Sequence, residues 1–429
     1  MFSSLVLVAA LSSFVPSQPA VGGERCRALE ACGVRGDGLV VHEWGTFTSV
    51  QGSDGIVLEG LQHEEEDLPA FVYSRSEVRD CPLRARGYKG LEVDVAHVTK
   101  KMETPVIYFH APHAQRVRLR VDFQGGLLSQ WFPVSDLLGP PEKSADEGPL
   151  DVREVGRSFL EWEVDVLEPG EKAAIPAVDA GTPWAWQRSP AANFVRTVPR
   201  QSPRTGPVEA EKFLFYRGVG SFELPLEART EKGSRLVLTN RGRTDIPSLC
   251  VLHVRGGRGE FTWVNGLGAG KTVEVARQVA DGAQSVEKMV GELVPSLVVK
   301  LVERGLYPDE ATAMARTWER SYFRTEGLRV LYVVPDEQTS AILPLAMTPA
   351  PQSLVRVLVG RLECIGPEQE TLVRQALLDR KSDDAALRAS AAATLDGLGR
   401  FLEPNLRLAI RTSQDARLRA SAEELLAGL

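Results

Sequence analysis

The sequence predicts a mainly β protein with some α: β-sandwich-like domains, then an α/β segment, then a C-terminal helical repeat of the HEAT kind. Two observations predict most of this. From Gly38 onward short alternating runs are broken by Gly, Pro and Asp, which is how sandwich strands read. Near the end, DAALRASAAATLDGL from Asp384 recurs as DARLRASAEELLAGL from Asp415, with ten of fifteen positions identical at a period of 31 residues. Such a period marks stacked helical units, each burying its face on the next.

Taken in order, residues 1–20 carry an apolar run, Leu5 to Leu11, followed by Ser, Pro and Ala. That shape predicts a secretory signal cut near Ser17 or Ala20, although no Lys or Arg precedes the run. Residues 21–168 read as an N-terminal β-sandwich-like region, with strands in GLVVHEWGTFTSV, TPVIYFHA, RVRLRVDF and FLEWEVDVL. Residues 169–207 hold seven prolines together with Trp184 and Trp186, and read as a long ordered connection. Residues 208–282 form a second β-rich region. Residues 283–366 start with two helices, Ser285 to Gly305 and Asp309 to Tyr322, and return to strand in LRVLYVVP and SLVRVLVGRLECI. Asp309, after Pro308, is placed to cap the second helix. Residues 367–429 are the helical tail. Two units are few for independent stability, so the tail is expected to pack on the domain before it.

Composition narrows the function. With 43% hydrophobic and 25% charged residues the chain has ample material for cores. A net charge of −7 argues against a general nucleic-acid binder, which wants a basic face. No segment after the signal is long and apolar enough to span a membrane. Five cysteines fit an oxidising compartment: Cys26–Cys32 is the first choice of bridge, one to Cys81 the next. Cys250 and Cys364 sit in apolar strands and read as buried thiols.

The common catalytic signatures fail. Gly266-Leu-Gly-Ala-Gly270-Lys271-Thr272 resembles a phosphate loop, but Asn265 stands where a Gly is needed and the segment joins strand to strand. What remains is clustered histidine: His42, His63, His97, His110 and His113 fall within 72 residues. Imidazole and carboxylate together suit zinc, copper, iron or manganese, and His42, Glu43, His97, Glu103 and His110 are the candidate metal ligands. Strand parity places Glu43 with Val41 and Phe47, and His42 on the other face with Val40 and Trp44, so one of the two meets an apolar layer and needs a partner. The plainer alternative is a hydrogen-bonded core histidine and a Glu43–Arg pair. Trp184 and Trp186 are candidates for a sugar- or peptide-binding groove, against the plainer alternative of core packing.

At VHEWGTFTSVQGSDG, KMETPVIYFHAP, EKFLFYRGVGSFELPL and SYFRTEGLRVLYVVP the chain resembles a group of exported bacterial proteins, over roughly Gly38 to Gly366. The resemblance implies export and a shared domain architecture, and carries over no activity or ligand. The leading expectation is a periplasmic or secreted, non-catalytic binding protein with a protein or glycan partner. Its rivals are a metal-dependent, hydrolase-like enzyme on the His/Glu residues and carbohydrate binding through the loop tryptophans.

Overall fold

In the computed structural model, the structure describes residues 38–63, 68–75, 95–140, 150–155, 158–198, 208–231, 235–276 and 283–429. The signal segment 1–20, Cys26, Cys32, Cys81 and residues 64–67 lie outside them. The described chain is mostly strand, arranged in several sheets, with a helical C-terminal region.

Four strands of a ten-stranded sheet position the sites: β1 (Val40–Gln51), β2 (Lys100–His110), β3 (Leu214–Gly220) and β4 (Ser353–Cys364), side by side in the order β4, β1, β2, β3. β1 runs parallel to β4, from Val40 opposite Ser353 to Gln51 opposite Cys364, and antiparallel to β2. Leu249–Arg255, Arg258–Val264 and Gly327–Val333 continue the sheet beyond β4. Strands from regions 21–168, 208–282 and 283–366 therefore share one sheet.

β1 is buried on both faces, which is why its polar residues are as enclosed as its apolar ones. On one face Val41, Phe47, Ile107, Phe109 and Tyr216 pack on Val117, Leu119, Leu160 and Trp162 of a six-stranded sheet. On the other, Trp44, Val106, Tyr108, Phe215 and Val357 meet helices. These are α1 (Pro183–Gln187), α2 (Val286–Glu303) and α3 (Pro308–Trp318).

One irregularity decides which β2 side chains face the helices. Trp44 pairs with Val106 but Thr46 with Glu103, so β2 carries one extra residue there. Thr104 takes φ +52°, and opposite it Gly45 lies so close that a Cβ would stand 2.9 Å from Pro105 Cα. The bulge reverses the alternation. Lys101 and Glu103, which an unbroken strand would place on the opposite face from Val106, Tyr108 and His110, arrive on the same one.

The start of α3 corrects the sequence reading. Asp309 is not its cap: Pro308 occupies the first helical position and Tyr307 precedes it as N-cap. Glu310, three residues after the cap, returns its carboxylate to the Tyr307 N–H at 2.9 Å, as in a capping box. Asp309 accepts from the Ala191 N–H at 2.7 Å instead. Beyond Trp318 the helix widens into a π turn, Glu319–Phe323.

The tail holds α4 (Pro367–Asp379), α5 (Ala385–Asp396), α6 (Leu402–Thr412) and α7 (Ala416–Leu426) around their own core of Val373, Leu377, Leu395, Leu406 and Leu418. The two copies of the sequence repeat are capped alike: Asp384 accepts from the Ala386 N–H at 2.7 Å and Asp415 from the Arg417 N–H at 2.8 Å. The tail docks on the sheet domain through Leu408, which packs with Val50, Leu58, Leu61 and Ile365.

Candidate functional site

Two sites flank α3, one at each end. At its N-terminus, His42 of β1 and His110 of β2 stand on the helix-facing side of the sheet, near neighbours across the strands because Val40 pairs with His110 and His42 with Tyr108. Glu310 fits between them. His42 Nδ1 lies 2.6 Å from Glu310 Oε2, and His110 Nε2 lies 2.7 Å from Oε1. An ionised carboxylate only accepts, so in this arrangement both facing ring nitrogens carry hydrogen. The Tyr307 ring covers the cluster, with its centroid 4.4 Å from that of His42 and 4.7 Å from that of His110. All three side chains are sealed, at no more than 2% exposure.

Glu310 is exceptional among the buried carboxylates. Glu43 pairs with Arg356, Glu103 with Arg400, Asp122 with Arg120, and Glu161 with Arg118. Glu211, Glu363 and Glu403 pair with Arg188, Arg361 and Arg407. Of the eight buried carboxylates among the described residues, Glu310 alone has no arginine or lysine.

At the other end of α3 lies a cavity of about 460 Å³. Phe71, Trp184, Phe215, Trp318 and Tyr322 give it aromatic walls; Lys101, Glu103, Arg217 and Arg400 give it charge. Glu103 Oε2 accepts from the Tyr322 hydroxyl at 2.7 Å, and Oε1 from the Arg400 guanidinium. Burial pushes the Glu103 pKa up, but Arg400, Arg361, Lys101 and the Tyr322 hydrogen bond outweigh it and hold the carboxyl at about 2. Burial, reinforced by Glu103, raises the Tyr322 hydroxyl well above its ordinary range. Lys101 Nζ donates to the His63 carbonyl at 2.5 Å, and the Arg217 Nε donates to Gln130. Among the lining residues, Thr104 Oγ1, Gln187 Oε1 and Trp318 Nε1 are buried polar atoms without a hydrogen-bond partner.

Of the five expected metal ligands the structure brings only His42 and His110 together. Glu43 points to the opposite face of β1, as the alternation requires, and pairs with Tyr216 and Arg356. The β2 bulge carries Glu103 to the helix face, where arginines surround it. His97, at φ +62°, is half-buried, 3.0 Å from Glu59 and 3.8 Å from Asp151. Trp184 is buried among Phe71, Phe213 and Phe215, and its Nε1 donates to Glu211 at 3.0 Å while the residue helps wall the cavity. Trp186 is half-buried under the Arg316 guanidinium, 4.5 Å from its ring centre, and does not line the cavity. Cys250 and Cys364 are buried; burial raises the Cys250 thiol pKa.

Sequence reasoning missed Glu310, Gln187, Trp318 and Arg400. Only Glu310 left a local signal, since Pro308 followed two residues later by Glu is a helix start whose carboxylate folds back.

The chain matches no protein-family model and no curated protein. Among solved structures, the yeast delta-COP-I mu-homology domain aligns at 8% identity with a TM-score of 0.23, covering 77% of this chain and 97% of its own. The same domain complexed with a Dsl1 WxWxV peptide aligns at 6% identity, with the same TM-score and coverage.

Proposed function

We propose that this is an exported, non-catalytic binding protein whose cavity beside α3 takes a small organic molecule with a flat apolar body and an anionic group. The observation that carries the reading is the cavity lining, in which Phe71, Trp184, Phe215, Trp318 and Tyr322 stand beside Lys101, Arg217 and Arg400. A concave, mostly apolar site with a few charged groups is the usual form of a small-molecule site. The aromatic residues favour the flat body. Lys101, Arg217 and Arg400 outnumber Glu103 and Asp179 in the lining, which favours a negative group.

The metal-dependent hydrolase reading asks for an open coordination position facing a cavity. His42, His110 and Glu310 are sealed and do not line the cavity, which favours binding over hydrolysis. The signal-like N-terminus supports export, and its neighbouring cysteines suit an oxidising compartment. The 31-residue period and matching aspartate caps support a HEAT-like tail, and the pairing of the ten- and six-stranded sheets supports the sandwich reading.

Thermal unfolding of the purified chain with benzoate, phenylacetate and indole-3-acetate, beside glucose and maltose, tests the reading. At least one aromatic acid is expected to raise the unfolding temperature, and Arg217→Gln to abolish the rise. A rise with the sugars alone replaces the reading with a glycan ligand. No rise with any probe, with no small molecule seen on the protein by native mass spectrometry, overturns it.

A further inference from the structure

We propose that His42, His110 and Glu310 form a closed centre for one divalent transition-metal ion, zinc in the first instance, that locks α3 onto β1 and β2. The inference does not depend on the ligand cavity. Two imidazoles and a carboxylate are a donor set that zinc takes readily. Here the three come from segments 268 and 200 residues apart, and their ligand atoms lie within 4.8 Å of one another.

The surroundings call for a cation. A carboxylate sealed from water needs positive charge close by. Seven other buried carboxylates obtain it from arginine, so this protein's ordinary solution is a guanidinium. At Glu310 the sequence supplies two metal-binding imidazoles instead.

The geometry needs little change. The imidazole nitrogens stand 2.6 and 2.7 Å from the carboxylate oxygens. Ligands on zinc at about 2.0–2.1 Å and near-tetrahedral angles sit roughly 3.3 Å apart, so each imidazole backs away from the carboxylate by about 0.6 Å while ligand atoms now within 4.8 Å of one another converge on one point. Each imidazole then binds through the nitrogen that faces Glu310, with its hydrogen on the other ring nitrogen. Glu310 binding through both oxygens would supply the third and fourth donors, with a bite narrower than the tetrahedral angle. Oε2 keeps a lone pair for the Tyr307 N–H, which orients the carboxylate from behind. Tyr307 packs against both rings and the three side chains are sealed from solvent, as in a structural rather than a catalytic centre.

The test uses the full mature chain, purified without chelator. Elemental analysis is expected to find about one zinc per chain; stripping with dipicolinate is expected to lower the unfolding temperature and added zinc to restore it. Cobalt(II) on the stripped protein is expected to give the strong visible absorption of a four-coordinate site. Glu310→Gln preserves side-chain volume and an oxygen for the Tyr307 N–H, and is expected to weaken zinc binding by about 100-fold or more. Asp384→Ala, in the helical tail, is expected to leave zinc binding unchanged. If Glu310→Gln does not fold, stripping and reloading the wild-type chain decides the matter alone. A metal-free protein whose unfolding temperature responds to neither chelator nor zinc overturns the proposal and leaves a hydrogen-bonded knot.

Discussion

Glu43 and Glu310 are both fully enclosed, on opposite faces of the same sheet, yet they are held in different ways. Glu43 meets a guanidinium and a phenol, Arg356 and Tyr216, so its charge is balanced by the protein alone. Glu310 meets two imidazoles and a backbone N–H, donors that orient a carboxylate without supplying a fixed positive charge. The first arrangement is complete in the bare polypeptide; the second is the one that the cation proposed above would complete. Burial does not separate the two carboxylates. The chemical kind of partner does.

The largest effect that tests this contrast is expected from Glu43→Ala. It strands the Arg356 guanidinium in the core and is expected to lower stability by about 3–5 kcal/mol in denaturant unfolding. The loss should be the same with and without chelator. A chelator-dependent loss breaks the contrast, because it ties the Glu43 face to the proposed metal.

Next comes Glu103, another carboxylate answered by arginine. Its carboxyl is held at about 2, against an ordinary value of 4.5. A depressed acid contributes stability that is fully present above its unfolded value and is lost as the pH falls through its folded one. Glu103→Gln is therefore expected to cost about 3 kcal/mol at pH 7. The gap to wild type should narrow from about pH 4.5 downward and close near pH 2. A gap independent of pH sinks the ion-pair account of this residue.

The smallest effect belongs to Asp384 and Asp415, helix caps that each accept from a backbone N–H, Asp415 also lying 3.5 Å from the Arg417 guanidinium. Replacing either by Ala is expected to cost about 1 kcal/mol in urea unfolding. Equal losses at both positions sharpen the repeat; a loss at only one shows that the two units are not equivalent.

Some of this was legible in the residues. VVHEWGTF places His42 and Glu43 on opposite faces whatever the tertiary structure, because a strand alternates. The aspartates of the tail repeat likewise announced two helix starts. The rest depended on contacts that no local pattern encodes. Glu310 lies 268 residues from His42. Glu103 changed faces because β2 accommodates one extra residue at Thr104, and a parity count assumes none. Arg400 reads as one more charge in a helical tail until docking brings it to Glu103. The separate sandwiches expected on either side of the Pro-rich segment reflect how alike strand patterns look when sheet membership is unknown.

The pairing of β1 with β4 sets a timetable for the chain. β1 leaves the ribosome among the first structured segments, but its parallel neighbour begins at Ser353, some three hundred residues later. Until then β1 has β2 on one side and a bare row of backbone donors and acceptors on the other. The middle of the largest sheet is thus closed by one of the last strands to be made, and contacts so distant in sequence form slowly. A nascent chain of this topology completes its largest sheet only after most of its synthesis. The same delay leaves a long unpaired edge that must be shielded until residue 364 is in place.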